Sequence, residues 1–317
     1  MPRLWTTLAA ATAALTVLGF TAVASAQTGQ TNAAAQPAAL AAAPAPPAGF
    51  TLTWSDEFNG ASGTGVNTGT WKYDTGPGSS FGTGEIETMT NSTSNVHLDG
   101  HGNLDITALG HGQSWTSGRI QTISSEFGAP AGGEMAVTAT IRQPNPSVGL
   151  GYWPAFWMLG PGDWPGTGEI DILEDVNALN KLAGTLHCGN LTQSNPDGTL
   201  GPCHEFTGIS SGLLRCPGCQ TGFHTYMVIV DRTDPTAEQI RWYLDGRQFF
   251  QVSENQVDRA AWTAAVDHGY SIIFDLAIGG GFPDGVCQCT APSDQTTSGG
   301  TMTVRDVSVY NRVPGQD

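Results

Sequence analysis

Basic residues are scarce in this chain. Lysine and arginine number 12 against 28 acidic residues, for a formal charge of −16. Such a surface repels polyanions, which excludes nucleic acid, anionic lipid and sulfated glycans as partners and leaves a neutral ligand unaffected. Long apolar runs are also scarce. The one run, Leu8 to Phe20, falls short of the ~20 residues that a membrane span needs. Arg3 ahead of it and Ala24-Ser25-Ala26 behind it form the pattern of a cleaved export signal rather than of an anchor. Residues 1–26 are therefore expected to be removed, leaving a secreted, extracellular protein with no membrane association. No internal repeat is present. Residues 27–48 are almost only Ala, Gln, Pro, Thr and Gly, too poor in apolar bulk to fold, and read as a linker. Tryptophans, tyrosines and alternating apolar residues then run from Phe50 to Tyr310, so 49–317 reads as one domain.

No cysteine lies outside the stretch from Cys188 to Cys289, and the six within it are even in number. In an exported protein that favours disulfides, with local pairing expected: Cys188 with Cys203, Cys216 with Cys219, and Cys287 with Cys289. The alternative is a zinc site from Cys216-Pro-Gly-Cys219 and Cys287-Gln-Cys289, whose spacing matches zinc ligands imperfectly.

What is abundant is glycine, 42 residues, and short alternating runs. Asn103–Ala108, Glu134–Ile141, Phe223–Val230, Gln239–Leu244 and Thr301–Tyr310 each alternate apolar and polar residues as half-buried antiparallel strands do. Asp245-Gly246 between two such runs marks a hairpin. One segment reads as helix, Val257 to Val266, with Ser253 as cap and Gln256 completing a capping box. Strand after strand with one short helix implies an all-β fold in which sheet packs on sheet, a β-sandwich, with a barrel as the alternative.

Acids are disfavoured inside strands, because a half-buried surface desolvates them. Glu169-Ile-Asp-Ile-Leu-Glu174 breaks that rule three times. Glu169 and Asp171 share a face by alternation. Glu174, five residues beyond Glu169, joins them only if a one-residue bulge falls near Ile172 and Leu173. A retaining glycosidase needs two carboxyls ~5–5.5 Å apart, one as nucleophile and one as acid/base. A third carboxylate between them would raise a neighbour's proton affinity. A solvated strand face or a calcium site is the bland use of such a row. Aromatics flank it: Gly151-Tyr-Trp-Pro-Ala-Phe-Trp-Met-Leu-Gly160, then Trp164. Trp153 and Trp157 share a face with Ala155 between them, and indole faces suit the apolar C–H edges of pyranose rings.

Trp153-Pro-Ala-Phe-Trp-Met-Leu-Gly160, Gly168–Glu174 and Gly184-Thr-Leu-His187 together resemble glycoside hydrolase family 16. The Glu-x-Asp-x-x-Glu spacing is similar to its laminarinase-like, bulged branch. The likeness runs through Trp54–Phe58, Ser117–Ile120, Phe223–Tyr226, Trp242–Gly246 and Val304–Tyr310. It implies a concanavalin A-like jelly roll with a concave cleft and double-displacement, configuration-retaining hydrolysis. In that pattern Glu169 is the nucleophile, Glu174 the acid/base and Asp171 the assisting carboxylate, with His187 close by. Arg119, Glu85 and Glu87 are expected to bind sugar hydroxyls, and Trp115, Trp153, Trp157 and Trp164 to line the substrate. The family often carries Asn-Glu where this chain has Gly84-Glu85, a departure from its pattern at the expected sugar-binding residues. The chemistry requires no cofactor. A structural calcium is implied through Glu57, Gly102 and Asp306.

The expected partner is a neutral polysaccharide, a β-1,3-linked or mixed β-1,3/1,4-glucan, cut internally by a monomeric enzyme. β-1,3-Galactan or agar-type polymers are the alternative substrates. Non-catalytic glucan-recognition modules share the fold but lack the catalytic glutamates, and this chain keeps both.

Overall fold

The computed structural model describes residues 45–313; the expected export segment and most of the 27–48 linker lie outside the described residues. Two eight-stranded antiparallel sheets make up the body of the domain, and a small four-stranded sheet (Gly76–Pro77, Thr88–Met89, Ser114–Ser117, Leu109–His111) adjoins them. The first runs in the order Arg247–Ser253, Gln239–Leu244, His224–Asp231, Glu134–Arg142, Thr301–Arg312, Leu104–Thr107, Val96–Leu98, with Thr51–Asp56 also on Thr301–Arg312. The second runs Ile209–Ser210, Lys181–His187, Glu169–Glu174, Tyr152–Leu159, Ser271–Ile278, Arg119–Thr122, Trp71–Tyr73, with Leu214–Arg215 on Lys181–His187. The fold is thus the expected all-β jelly-roll sandwich.

One continuous core unites the inward faces of both sheets, with Val137, Tyr226, Val228 and Trp242 from the first and Phe156, Ile170, Leu186 and Phe274 from the second. Fully burying such a side chain contributes ~1.5–3 kcal/mol. The alternating runs read from the sequence are strands, to within two residues at their ends. The hairpin after Gln239–Leu244 turns on Asp245 and Gly246, whose φ values of 50° and 76° are both positive, as a tight two-residue turn requires.

Two helical expectations need correction. The Ser253–Gln256 capping box forms, but it closes only the 3₁₀ turn Glu254–Gln256, because Val257 is extended at φ −131° and ψ 169°. The helix proper is Arg259–Val266, and its own cap is Asp258, whose carboxylate accepts from the Ala261 amide. A second helix, Gly281–Cys287, was not expected from Gly-Phe-Pro-Asp-Gly-Val-Cys. Its Pro283 falls in the first turn, where no intrahelical donor is needed. The three disulfides pair as expected, Cys188–Cys203, Cys216–Cys219 and Cys287–Cys289. Among the described residues no helix is long and apolar enough to cross a membrane.

Candidate active site

The central strand of the second sheet, Glu169–Glu174, carries the bulge. Phe156 pairs with Leu173 and Trp157 with Asp171, so Ile172 is the extra residue. The other neighbour agrees: Asp171 pairs with Thr185 and Glu174 with Ala183. Ile170, Ile172 and Leu173 all enter the core, and the three acids are left together on the outer face. A bulge takes a carbonyl out of the regular ladder. Here the Asp171 carbonyl accepts the indole N–H of Trp242 from the opposite sheet, at 2.7 Å. That crossing explains Gly184 in Gly184-Thr-Leu-His187. A Cβ there would lie 2.6 Å from the Trp242 ring, so only glycine lets the indole reach the bulge. Gly168, at φ +77° before the strand, likewise leaves no room for a Cβ against the Ala265 backbone.

His187 stands directly across the ladder from Glu169. Its Nε2 lies 3.4 Å from Asp171 Oδ2 and 3.8 Å from Glu169 Oε1. At the other end of the row, the Trp153 indole N–H donates to Glu174 Oε1 at 2.9 Å. Burial, then the charge of Asp171, push the Glu169 carboxyl up to about 8, while His187 and Arg119 pull it down. Burial and Asp171 also lift Glu174 well above the ordinary carboxylate range. The two ends are unequal because the imidazole sits beside Glu169, whereas Glu174 meets a neutral indole. Of the two, Glu174 is therefore the one that holds its proton more tightly, and Glu169 the one that ionises first.

The aromatic residues sort themselves by exposure and contact. Trp153 packs edge-on against Phe282 of the second helix, at 5.8 Å between centroids. Trp157 donates to Asp275 Oδ1 at 2.7 Å. Its ring and that of Phe81 each lie 4.7 Å from the Arg119 guanidinium, which also pairs with Asp74 at 3.3 Å. Trp164 is 37% exposed and leans on the His187 ring, at 5.6 Å between centroids. Phe206, 70% exposed, stacks on Trp164 with an interplanar angle of 11°.

Two expected substrate residues are corrected by burial. Trp115 is 3% exposed, donates to the Gly112 carbonyl and packs against Tyr152, so it belongs to the core. Glu87 is 0% exposed and accepts the Ile278 amide at 2.7 Å, so it braces the sheet beneath the site and cannot touch a sugar. Glu85 lies above it, almost buried, and bridges to Gly279. Burial and then the charges of Glu87 and Asp275 push Glu85 up to about 9.

The residues expected for calcium converge at the far side. Asp306 is 2% exposed and its Oδ1 has no hydrogen-bond partner. Burial chiefly, with a contribution from the charge of Glu57, pushes it up to about 6. Gly102 lies against Glu57, a Cβ on it falling 3.7 Å from the Glu57 carbonyl.

Glu205, Asp275, Phe282 and Phe206 take part in the site without having been singled out from the sequence. Only Asp275 had a readable signal, an acid inside the apolar run Ser271–Ile278.

A row of largely buried carboxylates on the outer face of a bulged strand, flanked by indoles, defines a sandwich-type polysaccharide hydrolase. The family described as "XgeA-like, catalytic GH16 domain" matches residues 84–205. The crystal structure of an endo-1,3-beta-glucanase from Streptomyces sioyaensis superposes with a TM-score of 0.78 at 43% identity, over 86% of this chain and 100% of that one. A beta-glucanase of Rhodothermus marinus is 30% identical over 72% of this chain and 76% of its own length. A glucan endo-1,3-beta-glucosidase A1 of Niallia circulans is 31% identical over 75% of this chain, but the chain spans only 35% of that protein. The chain belongs to glycoside hydrolase family 16.

Proposed function

We propose that the chain is an exported, monomeric, configuration-retaining endo-hydrolase of β-1,3-linked glucan, extending to mixed β-1,3/1,4-glucan. The observation that carries this reading is the bulge, which brings Glu169, Asp171 and Glu174 onto one face with a cationic partner at one end only. Glu169 attacks the anomeric carbon while Glu174 delivers its proton to the departing glycosidic oxygen. Glu174 then takes a proton from water, which displaces Glu169 from the glycosyl-enzyme and restores the original configuration. Asp171 holds the charge balance between them. Trp153 and Trp164 offer stacking faces for rings on either side of the cleaved bond. The similarity to endo-1,3-beta-glucanases supports the choice of polymer.

The test is a screen of the purified domain on laminarin, lichenan, galactan and agarose, with proton NMR of the first-formed products. We expect laminarin to be cut into a range of oligosaccharides whose new ends appear first as the β-anomer. Preference for galactan or agarose would refute the substrate, and α-anomers appearing first would refute the mechanism.

We further propose a structural calcium at Glu57, Asp306 and the Gly102 carbonyl. Oxygen donors with two carboxylates suit a hard cation, and the unpartnered buried Oδ1 of Asp306 is what such an ion would satisfy. Chelation should lower the melting temperature by several degrees, with calcium restoring it; an unchanged melting curve would remove the ion.

A further inference from the structure

The segment between Cys188 and Gly208 leaves the site and returns to it. The Cys188–Cys203 disulfide fastens its two arms, and Leu200 and Glu205 exchange backbone hydrogen bonds at 2.8 and 2.6 Å. Glu205 is thereby turned inward, 2% exposed. Its Oε1 accepts the Cys188 amide at 3.0 Å, and its Oε2 lies 2.5 Å from His187 Nδ1. We infer that Glu205 is a positioning residue for catalysis, holding His187 as a doubly protonated imidazolium against the nucleophile Glu169 and its neighbour Asp171. This rests on the catalytic reading of the row.

The argument is one of donors and acceptors. A carboxylate only accepts, so with the Cys188 amide on Oε1 the partner of Oε2 must be an Nδ1–H. His187 Nε2 then faces Asp171 Oδ2 at 3.4 Å and Glu169 Oε1 at 3.8 Å. A bare nitrogen there would set a lone pair against two carboxylates; a protonated one is attracted to both. The ring cannot rotate away from this choice. Trp164 covers one side, and Gly208 approaches so closely that a Cβ would lie 2.9 Å from His187 Cε1. The charged groups acting on the imidazole are Glu169, Asp171 and, further along, Glu174 from the central strand, and Glu205 from the disulfide loop. Arg119 acts on Glu169 from across the sheet. Burial opposes the imidazole's charge, yet the hydrogen bonds to Asp171 and Glu205 and the charges of Asp171 and Glu169 raise it well above the ordinary histidine range. One cation is so placed among four acids, at the end of the row where a negative charge must survive.

The experiment has two arms, and the first does not depend on turnover. Nitrogen-15 NMR of His187 in the wild-type protein should show both ring nitrogens protonated at pH 7 and above. A neutral ring at pH 7 would overturn the inference even if laminarin is hydrolysed normally. The second arm uses Glu205→Gln, which keeps the acceptor for Cys188 but removes the charge. Its kcat profile should lose its basic limb about one pH unit earlier, with KM within twofold of wild type. Added to His187→Gln, it should cost nothing further, because it acts through that ring. A uniform loss at all pH values, or an additive loss in the double variant, would show that Glu205 serves only the loop's fold. Failure of the wild type to hydrolyse any glucan would instead refute the proposed function.

Discussion

Two groups of buried acids sit on the same sheet and behave differently. The row Glu169, Asp171 and Glu174 lies beside Glu85, Glu87 and Asp275, which gather around Arg119. Burial raises members of both groups: Glu169 to about 8, Glu85 to about 9, Glu87 to about 7 and Asp275 to about 6. What separates them is where their oxygens are already engaged. Glu87 accepts the Ile278 amide and Asp275 the Trp157 indole. Arg119 is clamped between Phe81 and Trp157. In the row, Asp171 Oδ2 and Glu169 Oε1 face the His187 imidazole at 3.4 and 3.8 Å, and Glu174 Oε1 accepts the Trp153 indole. A displaced pKa therefore marks both groups, but only the row stands on the bulged strand around an imidazole, whereas Glu87 and Asp275 are tied to the backbone and an indole of the sheet itself.

The sharpest way to break this comparison is to neutralise one acid in each group. Glu169→Gln and Glu174→Gln should each lose ~10²–10⁴-fold in kcat with the fold unchanged, and azide should accelerate the Glu174 variant on an activated aryl glycoside. Near-normal turnover in either variant would remove the distinction between the two groups.

A smaller effect belongs to Asp171→Asn. Taking a negative charge from the middle lets Glu174 release its proton more readily. The basic limb of the pH–rate profile should move down, with the rate cut about tenfold. Unmoved limbs would mean that the three carboxylates do not share a face.

Trp164→Ala should raise KM for long oligosaccharides about fivefold while barely affecting a short activated substrate, since stacking on remote rings supplies binding energy. Equal loss on both would point to damaged packing.

Glu87→Gln should leave turnover within about twofold of wild type. Its signature is in stability. The native carboxyl holds its proton up to about 7 against an ordinary 4.5. Its stabilising contribution is therefore full below 4.5 and is lost as pH rises through about 7. The variant should melt about 2–4 °C higher than wild type at pH 8 and lose that advantage by pH 5. A collapse of activity would instead move Glu87 into the catalytic group.

How far the sequence carried these assignments depends on range. The row was legible because three acids within one short apolar run violate strand preference locally, and the bulge followed from their spacing alone. The sandwich was legible because alternation and Asp245-Gly246 are local signals too. Glu205 was not, since it sits in a Gly- and Pro-rich loop and gains its meaning only when Cys188–Cys203 folds that loop back. Trp115 was misplaced because an indole by itself suits a core as well as a cleft, and nothing local in the sequence separates the two. The helix Gly281–Cys287 was hidden by glycines and a proline that ordinarily break helices, and it is closed by Gln288 in the left-handed region at φ 52°.

The central claim is that Glu169 alone in the row is the attacking carboxylate. It can be tested by trapping the intermediate with a slow 2-deoxy-2-fluoro laminari-oligosaccharide that carries a good leaving group, followed by peptide mapping by mass spectrometry. The glycosyl mass should appear on the peptide bearing Glu169-Ile-Asp-Ile-Leu-Glu174, and fragmentation should place it on Glu169. An adduct on Glu174 or Asp171 would contradict the account.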